Sequence, residues 1–259
     1  MSRCPPEPER VTLSRGFLEY PGLFCCGAPT SAYRPWYVMT HLRLDAVTLW
    51  HHDAMKSIAF LSQKGGSGKT TLAVHTAVAA QEAKERVFLI DTDPQKSATV
   101  WGDAREAETP VVVTISAGEL DRVLKAGKED KMSLAIIDTA PHTAPDAARI
   151  AKSVDLVVIP CRPTAFDLAA VSNAVEIVKA AKKKAVLVLS ACPFRSPEIG
   201  ETRAVLEEYG LPVCPSDITD RRAFARAVAT GRAVTEFEAD GKAAQEIQAL
   251  WTWLKEQMA

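Results

Sequence analysis

The stretch Ser62-Gln63-Lys64-Gly65-Gly66-Ser67-Gly68-Lys69-Thr70-Thr71 concentrates the residue types that hold a polyphosphate. Gly65, Gly66 and Gly68 let backbone N–H groups approach phosphate oxygens, and a helix opening at this point aims its dipole at the anion. Lys69 then reaches the β- and γ-phosphates, and the Thr70 hydroxyl is placed to ligate Mg²⁺. The loop departs from the ordinary G-x-x-x-x-G-K-[ST] pattern: Gln63 stands at the first glycine position, and a second lysine, Lys64, precedes the glycine pair.

Two further segments end in carboxylates. Phe88-Leu89-Ile90-Asp91-Thr92-Asp93-Pro94-Gln95 closes an apolar run with two aspartates, and Ala135-Ile136-Ile137-Asp138-Thr139-Ala140-Pro141 closes another with one. Beside a phosphate loop, such groups hold a metal directly or through water and orient the attacking water. Strand-end aspartates equally serve as turn or helix caps.

The elements that must position these residues are legible in the hydrophobic pattern. Apolar runs at 57–61, 86–90, 111–115, 134–137, 156–159 and 186–189 have the continuity of strands buried on both faces. They alternate with helical patterns at 68–84, from Thr164 to about Lys183, and at 242–257, where Ile247, Leu250, Trp251 and Leu254 form one stripe. Thr164 and Asp167 have capping-box spacing. The alternation predicts an α/β fold: a mostly parallel twisted sheet with helices on both faces.

The K-G-G-x-x-K-[ST] loop resembles the deviant Walker A motif of the ParA/MinD family of ATPases. Other stretches fit: the D-x-D-P-Q turn at Asp91–Gln95 looks like switch I, Asp138 stands in the Walker B position, and Ile159-Pro160-Cys161-Arg162-Pro163 with Asp167-Leu168 resembles the I-P-x-x-P-x-x-x-D-L segment. Arg221 to Phe224 with Gly231 to Val234 looks like the C-terminal R-x-x-[FY]…G-x-x-V region. The resemblance spans about residues 56–257, and the chain is similar to short plasmid-type ParA proteins of the ParF kind.

The resemblance implies a P-loop ATP hydrolase using ATP and Mg²⁺. Gly65 to Thr71 would bind nucleotide, with Thr70, Asp91 and Asp138 in the metal shell and Asp93 positioning the water. Lys64 would reach across an ATP-bound homodimer to the partner's phosphates; a solvated lysine at a loop edge is the plainer alternative. Adenine contacts would fall near Pro215, Ser216 and Asp217, at the end of a seventh strand.

It also implies partition of a plasmid or chromosome: nonspecific DNA binding by the ATP dimer, and hydrolysis stimulated by a ParB-like centromere-binding protein. Basic candidates for DNA are Lys182, Lys183 and Lys184, which equally complement a helix dipole, and Arg221, Arg222 and Arg226. A membrane-cycling relative like MinD would need a basic amphipathic final helix; the stripe at 242–257 carries few cations and is expected in the core. Relatives that position protein cargo or act in conjugation keep the fold and change the cargo, and they stay open as an alternative. Electron transfer of the nitrogenase-iron-protein kind would need a cysteine near Asp138–His142, and there is none. His75 and His142 are expected to pack or face solvent, not to bind metal.

Composition frames these readings. With 259 residues, 47% hydrophobic and 24% charged, the chain matches soluble globular averages. A formal net charge of −1 excludes nucleic-acid binding through bulk charge, so any such contact must be local. No Cys-x-x-Cys pair is present, and a reduced cytoplasmic setting is expected, with association to the nucleoid in the ATP-bound state. Residues 1–54 contain no lysine and lack a sustained period. They are expected to be an irregular N-terminal extension, disordered or added by an upstream start assigned in error, ahead of an ATPase domain at 55–259.

Overall fold

In the computed structural model the described residues are 55–141 and 144–259. The expectations for residues 1–54 and for His142 lie outside them.

Six strands, β1 (Lys56–Phe60), β2 (Val87–Asp91), β3 (Val111–Thr114), β4 (Leu134–Asp138), β5 (Leu156–Cys161) and β6 (Lys184–Leu189), form one sheet in the order β3-β2-β4-β1-β5-β6. Every pairing is parallel. The continuous apolar runs are explained by burial from both sides: β2, β4 and β5 are buried at every residue.

The helices are α1 (Lys69–Glu82), α2 (Ser97–Asp103), α3 (Leu120–Glu129), α4 (Ala144–Ser153), α5 (Ala165–Ala181), α6 (Glu198–Glu207), α7 (Arg222–Val228), α8 (Val234–Phe237) and α9 (Lys242–Gln257). Apolar residues of α1, α2, α7, α8 and α9 share one core with one face of the sheet, while α3 to α6 pack into a second core on the other. The helices that follow β1 and β4 therefore leave to opposite faces. Because β1 and β4 are neighbours, a crevice opens at their carboxyl ends, the place where open α/β sheets receive ligands. Register pairs Phe60 with Asp138 and Asp91 with Asp138, so the phosphate loop and the strand-end aspartates meet there.

The expected seventh strand is present only as two isolated bridges to the edge of β6, Leu187 with Val213 and Cys192 with Thr219. Cys214 N–H donates to Leu187 O at 2.8 Å and Ile218 N–H to Leu189 O at 2.9 Å. Four residues of this segment therefore span two of β6, and the excess, Pro215 to Asp217, is pushed out of the ladder. Pro215 has no N–H with which to continue it. α5 also stops before Lys183, because Lys182 takes a left-handed conformation with φ 53°.

His75, on α1, is fully buried. Its Nδ1 accepts from Val234 N–H at 3.1 Å, and its ring meets the edge of Phe224 at 5.1 Å. It is a packing residue, joining the helix behind the phosphate loop to α7 and α8. Burial pushes its pKa down to about 3, so in the fold it stays neutral while the unfolded chain protonates below its ordinary 6.5. Above pH 6.5 neither state is charged; as pH falls through the window between the two values, the unfolded chain alone takes up the proton and stability is lost. His75's share between pH 7 and pH 5 is about 2 kcal/mol. Urea unfolding at both pH values should show His75→Asn, which keeps an acceptor near Nδ1, less stable at pH 7 but with a clearly shallower loss on acidification.

Candidate functional site

The loop between β1 and α1 takes its shape from two glycines. Gly66 and Gly68 have φ of 76° and 94°, in the left-handed region that strains any residue with a Cβ. Gly68 is the N-cap of α1, and a Cβ there would stand 3.3 Å from Ser190 Oγ. Ser190, just past β6, donates its hydroxyl to Ser67 O at 2.6 Å and so braces the loop from the side. The 14-residue helix α1 directs its first N–H groups at the loop.

Lys69 is 6% exposed and its Nζ donates to Lys64 O at 2.9 Å. Burial lowers its pKa, opposed by the charges of Asp138 and Asp93. Facing it, Asp138 is fully buried and both of its carboxylate oxygens lack a hydrogen-bond partner. Its pKa is pushed up to about 7, foremost by burial; the Thr70 hydroxyl and Lys69 pull it down, and Asp91 and Asp93 push it up. Thr70 is near enough to favour the charge without completing a hydrogen bond. An orphaned carboxylate beside a hydroxyl is a hard-oxygen donor set, and it fits Mg²⁺, which needs only one or two protein ligands when phosphates complete its shell.

Asp91, expected in the metal shell, is occupied by the protein itself. Its Oδ1 accepts from Asp93 N–H at 3.0 Å, and its Oδ2 accepts from the N–H and the hydroxyl of Thr99, both at 2.8 Å. These bonds tie the start of α2 to the strand end and shape the turn that presents Asp93, and they leave Oδ1 with accepting capacity toward the crevice. Asp93 itself is half-buried, within electrostatic reach of Lys69 and Asp138.

Lys64 lies at the outer edge of the loop. Its Nζ is 2.6 Å from Oδ2 of Asp167, which is 3% exposed, and 5.7 Å from the centre of the exposed Phe166 ring. Sequence reasoning placed Asp167 in a capping box and in the D-L segment, without joining it to Lys64. The structure gives it both jobs: its N–H donates to Thr164 Oγ1 while its carboxylate receives Thr164 Oγ1–H and Lys64. The adjacency of β1 and β5 produces this pairing, and no local pattern announces it. Arg162 was likewise missed as a loop residue; its Nη1 donates to Gly66 O at 3.0 Å.

Pro215, Ser216 and Asp217 bulge beside the end of β6, on the same side of the molecule as Ser190 and the loop. Asp217 is paired with Arg203 at 2.5 Å, and Arg203 also donates to Cys214 O at 2.8 Å, which holds the bulge in place. The basic candidates are divided. Lys182, Lys183 and Lys184 sit at the amino end of β6, away from the loop, with Lys183 Nζ bonded to Val154 O. Arg221 is bound to Glu246 at 2.7 Å. Arg222 and Arg226 are exposed on α7, Arg226 lying 5.2 Å from the Phe237 ring.

A parallel sheet with a glycine loop at its crevice, a lysine and threonine opening the next helix and a lone carboxylate on the adjacent strand defines a P-loop nucleotide-binding domain. Residues 58–234 match the CobQ/CobB/MinD/ParA nucleotide binding domain, and the chain belongs to that family. It is 33% identical over 205 residues to the maintenance of carboxysome distribution protein A of Gloeobacter kilaueensis, covering 78% of this chain and 93% of that one. It is 27% identical over 180 residues to protein ParA of Rhizobium radiobacter, covering 66% and 81%. Its fold matches the septum site-determining protein MinD of Pyrococcus horikoshii, solved with Mg-ADP, at a TM-score of 0.64 and 18% identity over 78% of this chain and 96% of that one.

A buried charge without a partner costs stability until something binds it. Asp138→Asn should therefore raise the stability of the metal-free protein at pH 8 by about 1–3 kcal/mol in urea unfolding with EDTA. The same variant should lose the added stabilisation that Mg²⁺ with ATP gives the unmodified chain.

Proposed function

We propose that this chain is a Mg²⁺-dependent ATP hydrolase of the ParA kind, which forms an ATP-bound homodimer, binds DNA nonspecifically in that state and is stimulated to hydrolyse by a ParB-like centromere-binding partner. The observation that carries the reading is the orphaned Asp138 carboxylate opposite Lys69 and Thr70, with Lys64 held apart at the outer edge of the same loop. The protein would work in the cytoplasm and associate with the nucleoid when ATP-bound.

In this reading Lys69 exchanges Lys64 O for β- and γ-phosphate oxygens, and the N–H groups of Gly65 to Thr71 enclose the phosphates. Thr70 and Asp138 would hold Mg²⁺, which would supply neutralisation of the phosphate charge. Asp93 orients the attacking water from its turn. Lys64 leaves Asp167 for the phosphates of the second copy, so the dimer would persist only while a γ-phosphate is present. Arg222 and Arg226 supply local positive charge, and binding to DNA would weaken steeply with salt.

A second reading keeps this cycle and changes the cargo from a replicon to a protein body. The similarity to a carboxysome distribution protein along nearly its full length favours it. The membrane-cycling alternative has less support, because Ile247, Leu250, Trp251 and Leu254 of α9 are buried in the core instead of forming a free amphipathic face.

Sedimentation with and without ATP, with nonspecific duplex DNA at two salt concentrations, tests the proposal. ATP-dependent, salt-sensitive co-sedimentation with DNA is expected; binding to anionic liposomes in its place would overturn it. Lys64→Ala should still bind ATP yet lose ATP-dependent dimers, and a variant that dimerises normally would remove the cross-subunit role.

A further inference from the structure

We infer that Arg162 is a second cation acting between subunits, reaching the phosphates of a nucleotide held by a second copy of this chain; the inference rests on the ATP-dimer reading above. Arg162 follows β5 directly, and its guanidinium crosses to the loop, donating from Nη1 to Gly66 O. In a phosphate loop the N–H groups converge on the anion and turn such carbonyls away from it. A guanidinium bonded to Gly66 O therefore lies on the outer wall, behind the backbone that encloses its own subunit's phosphates. Of its five N–H donors, that bond uses one, and the side chain is only half-buried.

Three other arginines anchored across the fold, Arg105, Arg203 and Arg221, each meet a carboxylate, Glu236, Asp217 and Glu246 respectively, while Arg86 donates to the Asp130 carbonyl far from this rim. Arg162 pairs with no carboxylate among the described residues. Lys64, its neighbour across Gly65 and Gly66, is neutralised by Asp167. Arg162 is thus the uncompensated charge on this rim, beside two exposed glycines and the 82% exposed Phe166.

Two copies joined about a twofold axis must present the same surface to each other. With Arg162 on both rims, such a contact is repulsive until anions lie between them, and a nucleotide's phosphates are anions already held at that place. Arg162 therefore disfavours the empty dimer and favours the nucleotide-filled one, and its planar fork suits bidentate contact with phosphate oxygens while Gly66 O fixes its position.

Sedimentation velocity with Mg²⁺ and ATP, and titration with a fluorescent ATP analogue, test this on the unmodified chain, on Arg162→Gln and on Arg162→Gln combined with Lys64→Ala. The expected results are a tenfold or greater weakening of the ATP-dependent dimer in Arg162→Gln, and analogue affinity in the double variant within twofold of Lys64→Ala alone. If Arg162→Gln dimerises like the unmodified chain, the inference falls while the ATP-dimer reading stands. If the double variant loses analogue affinity relative to Lys64→Ala, Arg162 serves its own subunit's loop, and the inference is again overturned. An unmodified chain that stays monomeric with ATP overturns the dimer reading and this inference with it.

Discussion

The carboxylate of Asp138 sits at the end of a fully buried central strand with both oxygens unsatisfied, and much of the architecture is arranged around that unrelieved charge. A side chain in this state costs stability, and it persists because the six-stranded sheet gives it no alternative position: β1 and β2 flank β4 in register at Phe60 and Asp91. The nearest cation, Lys69, donates to the backbone of Lys64 instead. Folding thus leaves two opposite charges facing each other across a gap, a preorganised arrangement for a ligand that carries both a cation and anions.

The surroundings keep that gap in shape through backbone contacts. Gly66 and Gly68 bend the loop and Ser190 holds Ser67, so the end of β6 restrains a loop that springs from β1. On the other side both carboxylate oxygens of Asp91 help fasten α2 and the turn bearing Asp93. One aspartate builds the frame, and its neighbour Asp93 is left half-exposed.

α1 and α2 also carry the arginine-bearing segment. His75 of α1 receives the first N–H of α8. Trp101 of α2 donates to Arg232 O at 3.2 Å, while Arg105 joins Glu236 and Gly231 O. Gly231 permits this approach: a Cβ there would fall 2.4 Å from the backbone of Ala104. Arg222 and Arg226 therefore ride on a helix packed against the loop helix through Phe224 and His75.

The sequence by itself determined the strands, the phosphate loop and the family, because those depend on patterns that are local. Continuous apolar runs specify strands buried on both faces, and a glycine loop closing on a lysine and threonine at a helix start has few other uses. Tertiary structure alone decided who meets whom. Lys64 and Asp167 lie 103 residues apart, and Arg162 and Gly66 lie 96 apart. Only the insertion of β1 between β4 and β5 brings these pairs together. The same holds for the division of labour between Asp91 and Asp138: both end apolar strands and look alike in the chain, yet one is bonded twice to Thr99 while the other has only the Thr70 hydroxyl nearby and no completed hydrogen bond. Charge compensation is a property of neighbours in space, and a linear pattern carries it only when those neighbours are also close along the chain.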